Sequence, residues 1–239
     1  MSERLIAKAA GRVYRSNEVL RDVNVSLRAG EVLAIIGPNG GGKSTLLLMM
    51  AGLVRPTSGT VELDGVATSR VAVESTGSIG LITAVPGLYP ALTGQENLEY
   101  FGGLYGLDKV EIARRGAPLI EELELEAALD RPAATYSSGM QQKLSLVRAR
   151  LLDPKVLLLD EPTANLDPVS TDTIYRAMRA EADRGIALAL VTHDLHAAEQ
   201  LCDRVAVVKQ TVLCEEVLDG ERKPPPTGKL FDMYQRAQA

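Results

Sequence analysis

The chain has 239 residues, of which 46% are hydrophobic and 24% are charged, the composition of an ordinary soluble globular protein. Its formal net charge of -5 argues against a nucleic-acid-binding domain, which usually has an excess of basic residues, so we expect no nucleic acid among its partners. No stretch approaches the roughly 18 apolar residues of a membrane-spanning helix, and residues 1–10 do not resemble a secretory signal. If a membrane is involved, we expect another chain to span it.

The first third of the sequence is predicted to form strands joined by turns. Val23–Leu27 alternates apolar and polar side chains, whereas Val32–Ile36 is apolar at every position. The second pattern is typical of a strand that is covered on both faces in a parallel sheet. A helix is predicted over Ser44–Leu53, and the strand Thr60–Leu63 ends in Asp64-Gly65, a hairpin signal.

From about residue 93 to residue 150 the pattern changes to amphipathic helices, and after residue 155 strands and helices alternate again. The predicted helices of the middle part are Glu96–Tyr105, Val110–Leu123 and Gly139–Leu152. The later elements, in chain order, are Val156–Leu159, Ser170–Arg184, Ile186–Val191, Leu195–Asp203 and Val205–Val208. This order predicts an α/β fold with a parallel sheet that is interrupted by a helical insertion.

The two cysteines and a proline-rich segment near the end of the chain are also informative. Cys202 and Cys214 lie in separate apolar stretches without metal-ligand spacing, and we interpret them as reduced core thiols, with a disulfide as the alternative. The segment Glu221–Pro226 ends in three prolines and cannot continue a regular element. We expect a solvated connector there, with a polyproline-type recognition segment as the alternative.

A phosphate-binding motif follows the apolar strand. Gly37–Thr45 matches G-x-x-x-x-G-K-S/T, with the predicted strand before it and a helix after it. Glycines let backbone N–H groups turn toward phosphate oxygens, and the helix N-terminus adds a partial positive charge. Lys43 would lie between the β- and γ-phosphates, and the Ser44 hydroxyl would bind Mg²⁺. The residues predicted to contact the nucleotide here are Gly37, Pro38, Asn39, Gly40, Gly41, Gly42, Lys43, Ser44 and Thr45. The alternative is a glycine-rich turn with an incidental lysine.

Two carboxylates follow the strand Val156–Leu159. Ligands of doubly wound sheets bind at the carboxyl ends of strands, where Asp160 and Glu161 are expected. Asp160 would hold Mg²⁺ and Glu161 would act as general base toward the attacking water. Adjacent carboxylates are otherwise common at the start of a solvated loop. Their combination with the phosphate loop favours the functional interpretation.

With these motifs in this order, the chain resembles the nucleotide-binding subunit of an ATP-binding-cassette (ABC) transporter from Tyr14 to about Val208. The resemblance implies a P-loop NTPase with a mainly parallel sheet core, an N-terminal antiparallel β subdomain and an inserted α-helical subdomain at about 93–150. The nucleotide-binding domain would occupy 1–220, and a C-terminal tail 221–239. ATP and Mg²⁺ would be the cofactors.

Two further segments stand where the family has its signature and its D-loop. Tyr136–Gln142 contains Ser137 and Gly139, which open a predicted helix and offer its free N–H groups to an anion. By resemblance, they contact the γ-phosphate bound by the other subunit. By the same resemblance, Asp167 would act across the interface between the two subunits. The simpler interpretations are that Ser137 caps a helix and that Asp167 with Pro168 starts one.

A histidine and an aromatic residue complete the resemblance. His193 follows the strand Ile186–Val191 and resembles the family's switch histidine, which would touch the γ-phosphate and orient the water of Glu161. With His196 it could be regarded as a metal pair, but too few ligands accompany it for zinc, and we treat His196 as an ordinary helix residue. Tyr14 resembles the aromatic residue that stacks on adenine.

The sequence departs from the family pattern at two positions. After Ile79–Ile82 the family has a glutamine, and the aligned residue here is Ala84. The missing amide removes one ligand of Mg²⁺ or water and a possible link to the membrane subunit, and Gln95 lies too far along the chain to replace it. Ser138 stands in place of the first signature glycine and is small enough to keep the backbone close to phosphate.

The segment Ile79–Leu107 is similar to subfamilies that pair with multi-span exporter permeases. We therefore predict an ATPase that binds nucleotide between two copies, or between one copy and a paralogue, and powers export through a separate membrane permease. It would be cytoplasmic and peripheral on the inner face of the cell membrane. The alternatives are an ABC ATPase of DNA repair or translation and a regulator that senses ATP without turnover.

Overall fold

The computed structural model describes residues 2–74, 77–217, 231–232 and 234–235. Within them the strands, in chain order, are β1 (Glu3–Tyr14), β2 (Asn17–Arg28), β3 (Val32–Ile36), β4 (Ser58–Leu63), β5 (Val66–Ala67), β6 (Ile79–Ile82), β7 (Val156–Asp160), β8 (Ala187–Val191), β9 (Arg204–Lys209) and β10 (Thr211–Val217). The helices are α1 (Lys43–Met50), α2 (Thr68–Glu74), α3 (Gly94–Leu104), α4 (Lys109–Glu122), α5 (Ser138–Arg150), α6 (Pro168–Asp183) and α7 (Leu195–Leu201). Of the helices in this part of the chain, none combines the length and apolar character needed to cross a bilayer.

A six-stranded sheet with the order β10-β9-β3-β8-β7-β6 forms the centre of the molecule. Its strands are parallel except β10, which pairs antiparallel with β9. Every residue of β3 is fully buried. Val32, Ala34 and Ile36 join one apolar cluster, and Leu33 and Ile35 join the other. The prediction of a strand covered on both faces is confirmed, and the α/β fold class with it.

A four-stranded antiparallel sheet, β2-β1-β4-β5, contributes to the second of these clusters. The turn between β4 and β5 has positive φ at both Asp64 (47°) and Gly65 (80°), as in the type I′ hairpin that the sequence predicts. Strand β1 was not predicted. Its register shifts between Ala7 and Ala10, where Ala9 has φ 45°, and this irregularity breaks the alternation by which a strand is recognised in sequence.

Helices α3, α4 and α5 form the helical insertion and lie within two residues of their predicted bounds. Each begins at a side-chain cap. Thr93 and Glu96 form a capping box at α3, Asp108 caps α4, and Ser137 caps α5. Helix α5 packs against α3, α4, α6 and strand β6. It therefore joins the insertion to the sheet, and its first turn carries the signature residues.

Several expectations concern residues near the end of the chain. Cys202 is a free, buried thiol, as predicted, and burial raises its pKa. The side chain of Cys214 lies outside the described residues. Its backbone belongs to β10, which was not predicted, and pairs with Val207 of β9. Most of the predicted tail 221–239, including Glu221–Pro226, also lies outside the described residues, so its connector role stays a prediction.

Candidate nucleotide site

The loop between β3 and α1 depends on glycines for its path. Gly37 has φ 149° and Gly42, the N-cap of α1, has φ 97°. A Cβ on Gly37 would overlap the carbonyl oxygen of Val208, and one on Gly42 would lie 2.5 Å from a methyl group of Leu20. The loop is therefore confined between β2 and β9. No side chain caps α1, so its first backbone N–H groups are available to an anion.

A cavity of about 500 Å³ opens over this loop. Its lining consists of Asn17, Val19, Asn39, Gly40, Gly41, Gly42, Lys43, Ser44, Thr45, Asp160, Glu161 and Val191. Residues 39–45 of the phosphate loop and the two carboxylates that follow β7 thus line the same cavity, whereas Gly37 and Pro38 do not. Ser44 and Asp160 bring a hydroxyl and a carboxylate to it, and hard oxygen ligands of this kind suit Mg²⁺.

Lys43 is buried, with 8% of its surface exposed. Its ammonium donates hydrogen bonds to the carbonyl oxygens of Gly37 at 2.9 Å and Pro38 at 3.0 Å. Desolvation lowers the pKa of Lys43, and the nearby carboxylates of Glu161 and Asp160 oppose this shift. A phosphate oxygen would be a stronger acceptor than either carbonyl, because it carries a negative charge and both partners of the bond would then be ionised. The lysine is therefore positioned for an anionic ligand.

Glu161 is held in an uncommon backbone conformation, with φ 50°, and its N–H donates to the carbonyl oxygen of Val191 at 2.9 Å. Its carboxylate oxygen Oε1 lies 2.9 Å from Nδ1 of His193. The Glu161 side chain is 25% exposed and that of His193 is 67% exposed. The histidine can thus fix the carboxylate from the solvent side of the cavity. The side chain of His196, in α7, lies outside the described residues.

The signature and D-loop residues stand apart from this cavity. Ser137 accepts a hydrogen bond from the N–H of Met140, and Asp167 accepts bonds from the N–H groups of Val169 and Ser170. The Ser170 hydroxyl also donates to Asp167 at 2.6 Å, and this bond lowers the pKa of the aspartate. Both capping interpretations are correct. Ser137, Gly139 and Asp167, all described, do not line the cavity.

Part of the cavity lining was not anticipated. Tyr14 is 39% exposed and pairs with Asn17, which lines the cavity although Tyr14 itself does not. The guanidinium of Arg12 lies 4.3 Å from the centre of the Tyr14 ring and covers one of its faces. Asn17 and Val19 were missed, as was Val191. No motif marks these residues, and the predicted strand began only at Val23.

The position of the missing glutamine is clear in the structure. Ala84 is exposed in the loop after β6, and no glutamine is found among the described residues that line the cavity. Gln95 donates instead to Glu99 at 3.0 Å within α3. The cavity therefore has no side-chain amide at the place where the resemblance expects one.

Comparison with known proteins identifies the family. The family model described as ABC transporter matches residues 20–164. The chain belongs to this family. The linearmycin resistance ATP-binding protein LnrL of Bacillus subtilis (strain 168) is 31% identical over 86% of the chain and 66% of that protein. The Nod factor export ATP-binding protein I of Ralstonia nicotianae is 35% identical over 82% of the chain and 61% of that protein. The chain thus spans about two thirds or less of the length of these two relatives.

One relative is named for import rather than export, and its sequence identity to the chain is in the same range. The probable anion import ATP-binding protein of Haloferax volcanii is 37% identical over 86% of the chain and 77% of that protein. Among solved structures, the ATP-binding subunit of an ABC transporter has a TM-score of 0.86 at 31% identity, covering 99% of this chain and all of that one. A dimeric cassette in a post-hydrolysis state, bound to ADP and Pi, has a TM-score of 0.80 at 28% identity, covering 90% of this chain and 99% of that one. The fold of this ABC chain is that of an ATPase cassette.

The close approach of α5 to α6 leads to a stability prediction. A Cβ on Gly139 would lie 2.5 Å from the Ser170 hydroxyl oxygen and 2.8 Å from its Cβ. Gly139→Ala should therefore lower the free energy of unfolding by about 1–3 kcal/mol, as expected for overpacking. In a chain that carries Ser170→Gly, which lacks the atoms that would clash, the same substitution should cost much less, measured by chemical denaturation.

Gly103→Ala is the matched control, because Gly103 lies in α3 and a Cβ there would meet nothing within 4 Å. Its unfolding free energy should rise by roughly 0.5–1 kcal/mol, since alanine has the higher helix propensity. Equal effects of the two substitutions would show that Gly139 does not mark a close contact.

Proposed function

We propose that the chain binds Mg·ATP in the cavity over the phosphate loop and hydrolyses it. The observation that supports this is the convergence of that loop and of Asp160 and Glu161 on one cavity. Ser44 and Asp160 would hold Mg²⁺, whose charge stabilises the transferred phosphoryl group. Lys43 would bind the β- and γ-phosphates. Glu161, fixed by His193, would accept a proton from the attacking water.

The active form would be a dimer of two copies, or of one copy and a paralogue. Ser137 and Gly139 present the start of α5 but do not line the cavity of their own chain. A second chain would therefore supply the phosphate that they bind, and Asp167, beside them at the start of α6, would lie at the same interface. One structural neighbour is a dimer that holds ADP and Pi. Tyr14 would stack on the adenine through the ring face opposite Arg12.

We place the chain on the cytoplasmic face of the membrane, bound to a separate membrane permease whose cargo is exported. Relatives named for Nod factor export and linearmycin resistance support export, although one similar relative is named for import. A groove of about 410 Å³ lies beside β6 and α5, and Val85 and Tyr105 in its lining are 76% and 50% exposed. Exposed apolar residues beside a groove are typical of a partner contact.

The transport role is tested by purifying the tagged chain from native membranes in mild detergent. We expect an integral membrane protein with several spans to co-elute and to stimulate ATP hydrolysis when both are placed in liposomes. With the cassette facing outward, export corresponds to ATP-dependent movement of cargo into the lumen. Recovery of the active chain with soluble proteins alone, from membranes and cytosol alike, would contradict a transport role.

A further inference from the structure

The loop after β6 makes few regular backbone contacts of its own, yet α5 holds it at three points. Gln142 Nε2 donates to the carbonyl oxygen of Thr83 at 3.1 Å. Ser145 Oγ donates to that of Pro86 at 3.3 Å, and Arg148 Nη1 donates to that of Gly87 at 2.7 Å. The three donors are spaced three residues apart, so they lie along one side of α5. Helix α5 thus binds Thr83, which precedes Ala84, and Pro86 and Gly87, which lie two and three residues after it.

Two of the three donors are buried. Gln142 is 3% exposed and Ser145 is fully buried, so each of these polar side chains needs a hydrogen-bond partner within the protein. Arg148 joins the arrangement to α3 as well. Its guanidinium lies 4.6 Å from the centre of the Phe101 ring, and its second nitrogen donates to Ser145 Oγ at 3.2 Å. The loop is therefore bound to the helical insertion through two buried side chains and through Arg148.

The part of the loop that leads into α3 is also held by side-chain hydrogen bonds to its backbone. Asn97, which is fully buried, accepts a hydrogen bond from the N–H of Tyr89 at 2.8 Å. Its amide nitrogen donates to the carbonyl oxygens of Tyr89, Leu92 and Thr93 at 3.1, 3.3 and 2.9 Å. Among the described residues, the side chains that bond to the backbone of 83–93 include Gln142, Ser145 and Arg148 of α5 and Asn97 of α3, which all belong to the helical insertion.

We propose that Gln142 is a positioning residue for ATP hydrolysis, which fastens the loop after β6 to α5 in place of the amide that is missing at Ala84. Helix α5 begins at the signature residues, and β6 pairs with β7, which ends at Asp160. A displacement of the start of α5 therefore reaches the strand beside the catalytic carboxylates through hydrogen bonds to loop carbonyls.

The inference rests on the proposed ATPase activity and is tested with Gln142→Met, which keeps the length of the side chain and removes the amide. We expect kcat to fall about fivefold to tenfold, the effect of losing one buried hydrogen bond. The KM for ATP and the Mg²⁺ concentration that gives half-maximal rate should not change. Hydrogen exchange of the amides in 83–93 should accelerate without nucleotide. Gln95→Met, which removes an amide that donates to Glu99 within α3, is the matched control and should leave these quantities unchanged.

A second substitution separates positioning from packing. Ala84→Gln in the Gln142→Met chain should restore most of kcat, with protection of the loop now dependent on Mg·ATP. Ser145→Ala removes a smaller group and should accelerate exchange in the same segment, which covers the case in which Gln142→Met does not fold.

Wild-type exchange of the loop in both Gln142→Met and Ser145→Ala would overturn the proposal, as would a fall in kcat with no change in loop exchange. An inactive wild-type chain would instead refute the proposed ATPase function, and the exchange experiment would still decide whether Gln142 holds the loop.

Discussion

Glu161→Gln is expected to lower the ATPase kcat by about 10²–10⁴-fold, the usual contribution of a general base. The amide cannot accept the proton of the attacking water, but it occupies the same volume and can still bond to His193. ATP binding should therefore be retained. Because closure would precede hydrolysis, the variant should accumulate as a dimer in Mg·ATP and remain monomeric in Mg·ADP. Phosphate release and light scattering measure the two effects.

Glu126→Gln provides the control for the chemical change, since Glu126 is exposed and does not line the cavity. It should behave as the wild type in both assays. Wild-type turnover in Glu161→Gln would remove Glu161 from its role as base. A loss of ATP binding along with turnover would show that the carboxylate serves the binding site.

Lys43→Ala should weaken ATP binding roughly 10- to 100-fold, which corresponds to the loss of one charge-assisted hydrogen bond. The effect follows from the position of the ammonium, which is buried at the phosphate loop and donates to the carbonyl oxygens of Gly37 and Pro38. Calorimetry with an ATP analogue measures the affinity, and phosphate release measures the loss of turnover.

Lys155→Ala is the matched control, because Lys155 forms a surface ion pair with Asp64 and does not line the cavity. It should leave affinity and turnover unchanged. The same assays separate an ATPase from a regulator that only senses ATP. For a regulator, wild type and Lys43→Ala would differ in affinity, but neither would release phosphate.

The fold could be predicted from the sequence where local pattern and tertiary environment agree. Strand β3 is apolar throughout and is buried on both faces, and the hairpin at Asp64 and Gly65 has the dihedral angles that its residues favour. Prediction failed where the backbone is irregular. The bulge at Ala9 concealed β1, and the short helix α2 was not predicted either.

The residues of the candidate site also divide into those that could be predicted from the sequence and those that could not. The phosphate loop and the carboxylates after β7 are contiguous motifs, so their convergence could be predicted from the strand order alone. Asn17 and Val19 reach the cavity only because β2 folds back beside the loop, and no local pattern marks them. The bond from Gln142 in α5 to the carbonyl of Thr83 joins residues 59 positions apart, and it could be found only from the structure.

The central claim, that each nucleotide is enclosed by two chains, is tested most directly by a disulfide between them. Asn39→Cys in one chain and Ser137→Cys in the other, both with Glu161→Gln and with Cys214 replaced by serine, are mixed and oxidised. We expect a crosslinked dimer that forms with Mg·ATP and not with Mg·ADP. A chain that carries both cysteines and closes the bond within one monomer, or crosslinking that is indifferent to nucleotide, would contradict it.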